Sequence, residues 1–477
     1  MSASDGSWSR QSTTYYDTAS QDLRRLTVSL ALVEEGAARH QIATRFSDAA
    51  VCEPTEALRT DARDGFPVAT GDPLIDADID ATRPFLGPGA RITVDRWRCV
   101  GSYQGAEISV TLDLGRGERW DRDGRHYEGA LSNASIVLVE GSERAFFEFA
   151  ALFADAARLV LEPHTPLQRA QQLARPAQEI EKAPRARAIA EEPVGALLQR
   201  TLALIVTRLA EMRAAIVETR QPEGVHQMRV ALRRFRSIER LFRKPLKGVM
   251  ASHNAQAKAI ADALGPARDW DVFCRETLTV LSGEQANETG AAELRARAEA
   301  LRAAHWNTAV AAVTAPSFTK FLIGLTELSL CPPWEKAPAM QERTRDVAER
   351  ALDRVLKKTF AVAQDLDAEN LAARHPLRIA LKKLRYPVQM FRDLYPSADR
   401  KPYMAALSTL QDSFGALNDG VTAERLADDV SLDASPAVEK MAGFVAGFKT
   451  AQARRAAMDI DSAWSQFEEM KPFWRKD

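Results

Sequence analysis

A chain of 477 residues that is 45% hydrophobic and 27% charged is longer than one hydrophobic core usually organises and too apolar for a disordered polymer, so two or three domains are expected. Its 64 basic and 65 acidic residues leave a formal charge of -1, so bulk charge argues for no polyanionic partner and any such preference must be local. Cys52, Cys99, Cys274 and Cys331 are scattered without a CxxC pair or metal-type spacing, which reads as unpaired thiols in a reducing cytosol.

The N-terminus "MSASDGSWSRQSTT" lacks the basic start and apolar core of a secretory signal, and no apolar run reaches membrane-spanning length. A cytoplasmic protein with no membrane span is expected. The first segments alternate with strand period, as in "LTVSLALVEE", "ARITVDRWRCVG", "AEISVTLDLG" and "ASIVLVEG", and turn residues separate them. "SERAFFEFAALFADAARLV" then has helical spacing. Residues 1–170 are therefore predicted as a β-rich α+β domain. The proline-, alanine- and charge-rich stretch around 171–193 is expected to be a linker.

From residue 194 to 477 the texture is all helical, with long segments of 3.6-residue period. An internal repeat organises it, one copy at 194–320 and the other at 335–470. "VHQMRVALRRFR" at 225–236 returns as "RHPLRIALKKLR" at 374–385, and "LGPARDWDV" at 264–272 returns as "FGALNDGV" at 414–421. Each helical residue advances by about 100°, so His226, Arg229, Arg233, Arg236, Arg240 and Lys244 share one stripe. Met228, Ala231, Phe235, Ile238 and Phe242 gather opposite. His375, Arg378, Lys382 and Arg385 repeat the stripe against Leu377, Ala380, Leu384 and Phe391. Arg234 and Lys383 point roughly 80° away from it. From Val225 to Lys247 the only acid is Glu239, and between Arg374 and Arg392 there is none. A solvating helix normally mixes its signs, so unmixed stripes are read as anion-binding faces. Two homologous helical bundles facing each other about a pseudo-twofold axis would bring them together.

These two motif pairs closely resemble the CHAD domain, the conserved histidine α-helical domain, over about 194–470. The resemblance implies two four-helix bundles, a basic surface or cavity, and binding of inorganic polyphosphate without known catalysis. It places the family histidines at His226 and His375, and the motif cations at Arg229, Arg233, Arg234, Arg236, Arg378, Lys382, Lys383 and Arg385. Arg240, Lys258 and Lys358 are added as supplementary contacts. Some members of the family are associated with polyphosphate or polyhydroxyalkanoate granules, which makes a granule-bound adaptor an alternative reading.

The N-terminal half resembles, more weakly, a CYTH or triphosphate-tunnel domain, through "YYDTASQDLRRLTVSLAL" and "VTLDLGRGE", and the resemblance implies an antiparallel tunnel or partial barrel. It departs from that family where chemistry would need it. No ExExK triplet precedes Tyr15, Ala31 and Val33 stand where arginines belong, and Asn133, Ser135 and Val137 replace alternating glutamates. Metal-dependent triphosphate hydrolysis needs carboxylates for the cation and cations for the phosphates. A degenerate, catalytically inactive tunnel is expected, with a triphosphatase as the alternative. No cofactor and no metal are expected.

Nucleic acid is the competing polyanion. It is disfavoured because single-strand binders usually offer aromatic platforms, and Tyr386 alone lies near the polar arc. His226 and His375 lack a partner nucleophile or metal-type spacing, which leaves phosphate hydrogen bonding or a structural role at the helix start. Asp269, Asp271 and Asp419 each follow a glycine-marked turn and are read as caps or as partners of the repeat's own arginines. Oligomeric state and preferred polymer length are not written in the sequence.

Overall fold

A computed structural model describes residues 2–3, 6–48, 51–62, 65–121, 123–173, 180–181, 183–283, 285, 288–364, 374–458 and 460–475. The chain forms two compact units, residues 1–153 with 162–179 and residues 154–161 with 180–477.

The first unit is built on strands β1 (Ser2–Ala3), β2 (Ser7–Asp17), β3 (Val28–Glu35), β4 (Ala38–Asp48), β5 (Val51–Asp61), β6 (Gly87–Tyr103), β7 (Ala106–Trp120) and β8 (His126–Glu140). Helices α1 (Asp22–Arg25), α2 (Pro73–Thr82), α3 (Glu143–Ala156) and α4 (Pro166–Gln172) accompany them. The sheet is antiparallel, runs in the order β5-β4-β3-β2-β6-β7-β8, and takes β1 onto β6. No pairing between β5 and β8 closes it among the described residues, so the sheet is open along that path.

Strand alternation gives the sheet two apolar faces. On one, Leu23, Val28, Leu30, Ala43, Ile75 and Ile79 pack under α1 and α2, while Ile108 and Val110 pack under Ala145 and Phe149 of α3. On the other, Ala90, Ile92, Val94 and Leu131 receive Ala170 of α4. Gly117 and Gly129 make that approach possible. A Cβ on Gly117 would lie 3.2 Å from the Ala170 Cβ, and one on Gly129 would lie 2.6 Å from Leu173. Arg119 Nε donates to Leu173 O at 3.0 Å, and Arg169 donates to Ser132 O at 3.0 Å. The segment around α4 is thus fastened to the sheet by both apolar contact and hydrogen bonds.

The second unit contains α5 (Val194–Val217), α6 (Pro222–Phe242), α7 (Ala251–Ala263), α8 (Gly265–Val272), α9 (Ala291–Thr314), α10 (Pro316–Leu330), α11 (Pro338–Gln341), α12 (Thr344–Gln364), α13 (Arg374–Phe391), α14 (Ser397–Ser431), α15 (Pro436–Ala457) and α16 (Ile460–Glu469). Pro222, Pro316 and Pro436 open their helices, where the missing N–H costs nothing and the fixed φ is already helical. No single helix among the described residues is long and apolar enough to cross a membrane.

The repeat is visible at the starts of α5 and α12. Val194 N donates to Glu342 O at 3.0 Å, and Thr344 N donates to Glu192 O at 2.9 Å. The apolar face of α6 buries Met228, Leu232, Phe235, Ile238 and Phe242, and that of α13 buries Leu377, Leu381, Leu384, Val388 and Phe391. The cores do not divide along the repeat boundary. The larger one joins α5, α6, α10, α12, α13 and the first half of α14. The smaller one joins Trp270 and Phe273 with Leu294 of α9, Leu426 and Val430 of α14, and Met441 and Val445 of α15. Each repeat alone leaves apolar faces that only the other covers, so the two form one folding unit.

Two boundaries differ from the sequence reading. Composition predicts a linker at 171–193, yet Ile180, Ala186, Ala188 and Ala190 pack on the larger helical core. These residues form no helix or strand, so their burial has no period to reveal it. The glycine-marked turn also exists in one repeat only. Gly265 begins α8 after a break, whereas Gly415 lies inside α14, which runs unbroken from Ser397 to Ser431.

Candidate functional site

Helices α6 and α13 pack against each other, each burying its apolar face and leaving its cationic stripe at the polar side. Glu239, the one acid between Val225 and Lys247, does not neutralise the cations of α6. Glu239 is 1% exposed and accepts two hydrogen bonds from Arg243, at 2.7 and 2.9 Å. Arg243 thereby satisfies the buried carboxylate, and the stripe keeps its excess charge.

The two repeats meet at Arg233, Tyr386 and Lys382. Arg233 Nε donates to Tyr386 Oη at 3.2 Å across the helix pair. Lys382 keeps part of its side chain open to solvent. Partial removal from water, followed by the charges of Arg378, Arg233 and Arg229, pulls its ammonium down to about 8, with Asp419 opposing. Three cations from both repeats therefore act on one lysine. This arrangement has a measurable consequence. A bound polyanion would raise the Lys382 pKa again, so binding would take up a proton above about pH 8 and affinity would fall as pH rises through that value. Lys382→Arg, which stays charged, is expected to flatten the affinity profile between pH 7 and 9. An unchanged profile would remove Lys382 from the site.

Arg229 is half-buried. Its guanidinium donates to Ala261 O at the end of α7, 2.8 Å away, and a Cβ on Gly265 would lie 2.9 Å from it. Glycine at the α7–α8 junction is therefore explained by close approach of Arg229. His226 is half-buried in the first turns of α6, and burial, then Arg268, Arg233 and Arg229, hold its imidazole below the ordinary value. Burial likewise lowers the Arg378 guanidinium, with Asp419 opposing. Arg236 Nε and Arg378 Nε are buried with no hydrogen-bond partner among the described residues. Such donors are rare in folded proteins, and here each basic helix carries one.

The remaining candidates scatter around this centre. Arg385 donates to Gln411 Oε1 at 2.7 Å, and Gln411 in turn donates to Leu381 O at 2.8 Å, so Arg385 also ties α13 to α14. Arg240 and Lys358 both bear on Lys383, whose ammonium is lowered first by partial burial and then by those two charges. Lys383, which points off the stripe, thus joins a second cationic group drawn from α6, α12 and α13. Lys258 is exposed on α7 and paired with Asp262 at 2.6 Å. His375 sits in the first turn of α13, and its side chain lies outside the described part of the structure.

Of the three aspartates, Asp271 and Asp419 face arginines of their own repeats, as expected, and Asp269 departs. Asp269 is paired with Arg425 of the other repeat at 3.2 Å. Asp271, fully buried, is paired with Arg302 of α9 at 3.1 Å. Asp419 lies within α14, not at a cap, and is raised by burial with Arg378 and Lys382 opposing. Arg268 was missed, although it stands inside the quoted "LGPARDWDV". Its charge reaches His226, Arg229 and Asp269, and its one-residue distance from Asp269 was the available signal.

The family model for the CHAD domain matches residues 200–428. The crystal structure of the CHAD domain from the plant Ricinus communis is similar at 26% identity, over 61% of this chain and 98% of that one, with a TM-score of 0.53. PptA from Streptomyces chartreusis is similar at 15% identity, over 57% and 99% of the two chains, with a TM-score of 0.46. No curated protein matches significantly. The antiparallel sheet of the first unit is consistent with a CYTH-like domain. Residues 200–428, which hold both basic helices and the contact between them, are a CHAD domain.

Proposed function

We propose that the CHAD domain binds inorganic polyphosphate along a basic groove between α6 and α13. The observation that carries this reading is the convergence of Arg229, Arg233 and Arg378 on Lys382, which assembles one cationic centre from both repeats. The buried Nε donors of Arg236 and Arg378 support it, because phosphate oxygens accept well from guanidinium groups. Polyphosphate offers charge on every unit with no base to read. Single-strand binders usually offer several aromatic platforms, whereas the repeat contact carries Tyr386, whose hydroxyl accepts from Arg233.

The test is titration of the full chain with polyphosphates of defined length, with single-stranded RNA and DNA as competitors. Long polyphosphate is expected to bind, and nucleic acid to compete poorly. RNA binding as tight as that of polyphosphate would transfer the assignment to nucleic acid.

The sheet unit, on this reading, is catalytically silent. Ala31 and Val33 are buried apolar residues of β3, and Asn133 of β8 hydrogen-bonds Ser135 at 3.0 Å in a row that has lost its carboxylates. The packing of α4 against Ala90, Ile92 and Val94 also covers one sheet face with apolar contact. No orthophosphate release from tripolyphosphate or ATP is expected with magnesium or manganese. Turnover that persists when Arg229 and Lys382 are replaced by alanine would identify the sheet unit as an enzyme.

A further inference from the structure

The β7–β8 hairpin carries a cluster that the basic helices do not use. Cross-strand register pairs Glu118 with Glu128 and Trp120 with His126, so alternation puts all four on the sheet face opposite Gly117 and Gly129. One ligand atom from each of Glu118, His126 and Glu128 lies within 4.8 Å of the others. The sequence hid this group because a hairpin turn separates Glu118 from the other two.

Two carboxylates placed directly opposite on neighbouring strands repel, and Glu118 is only 8% exposed, so water screens that side of the pair poorly. A cation placed there would relieve that repulsion. Arg91 is opposite Glu118 on β6, but its Nε donates to Thr14 Oγ1 at 3.1 Å and its guanidinium carbon sits 5.5 Å from the centre of the Trp120 ring. The nearest partner of Glu118 is His126, with Nε2 at 3.1 Å from Oε1. The imidazole thus offers a ring nitrogen beside two carboxylate oxygens.

We propose that Glu118, His126 and Glu128 bind a divalent transition-metal ion of the zinc(II) or manganese(II) class. One imidazole nitrogen and two carboxylate oxygens suit borderline ions better than magnesium or calcium, which take all-oxygen sets. The hairpin is held in shape for this. Asp121 accepts from Asp123 N at 3.0 Å, Arg125 N at 2.9 Å and Tyr127 Oη at 2.9 Å, which fixes the strand ends that carry Trp120 and His126. Three protein ligands leave at least one coordination position to water. The site is independent of the polyphosphate reading and lies in the other unit.

The experiment is calorimetric titration of the full chain with zinc chloride, without polyphosphate, beside His126→Ala and Glu128→Gln. Both residues are exposed, so neither variant disturbs a core, and circular dichroism checks their folding. Binding is expected in the wild type and at least about tenfold weaker in each variant, since losing even an outer-shell partner costs that much. Cobalt(II) provides a second readout: it should quench the Trp120 emission, whose ring centre is 5.2 Å from that of His126, and the quenching should vanish in Trp120→Phe and in His126→Ala. Absence of zinc binding, or wild-type affinity and stoichiometry in both variants, would overturn the proposal.

Discussion

Replacing Arg229, Arg233, Arg378 and Lys382 together by alanine is expected to abolish detectable polyphosphate binding, while the first-repeat pair and the second-repeat pair each cause a length-dependent loss. A long polymer held at both repeats gains from the effective concentration that each half imposes at the other. Removing one half should then cost about 10²-fold to 10⁴-fold for long chains and far less for chains too short to reach both helices. Folding is a separate question, because two of these cations also bond to protein. Arg229→Ala leaves Ala261 O without its donor, and Arg233→Ala releases Tyr386 Oη. Each lost hydrogen bond is expected to lower stability by about 1 kcal/mol, partly offset by relief of like-charge repulsion, and thermal melting would show it. If only the first-repeat pair weakens binding at every length, the second basic helix is a structural copy and the shared groove does not exist.

Salt should have an effect of similar size. Polyanion binding releases condensed counterions, and on single strands log affinity falls with log salt by about 0.7 for every phosphate neutralised. With about six phosphates engaged, raising salt from 50 to 200 mM would weaken binding by between 10²-fold and 10³-fold. Each alanine substitution at a contacting cation should flatten the slope by about 0.7, which separates loss of a contact from loss of fold. Titrations at four or five salt concentrations measure it. A flat response would show that the charges of α6 and α13 do not hold the ligand, whatever else they do.

Some of this was legible in the linear chain because it depends on local periodicity. The 3.6-residue spacing of Met228, Phe235 and Phe242 against Arg229, Arg233 and Arg236 specifies an amphipathic helix in any fold that buries its apolar side. The same holds for Leu377 and Leu384 against Arg378 and Lys382. The near absence of acids in both stretches is likewise a property of sequence, as is the recurrence of the two motifs that gives the domain its internal repeat. Strand alternation in "ARITVDRWRCVG" and "AEISVTLDLG" announced β6 and β7 before any pairing was known.

Partner choice was decided by the tertiary structure, because contacts between distant segments leave no periodic trace. Glu239 read as the one acid between Val225 and Lys247, and only burial beside Arg243 shows that it leaves the stripe uncompensated. Asp269 read as a partner for its own repeat, and packing gives it Arg425 instead. Gly265 read as a turn, but the space it leaves is taken by Arg229. Matching motifs suggested matching bundles, yet α7 and α8 break where α14 continues, and apolar faces too broad for either repeat alone merge into shared cores. Spacing along the chain assigned Glu118, His126 and Glu128 no common role. Strand register brings them together, because an antiparallel hairpin turns separation along the chain into adjacency across two strands.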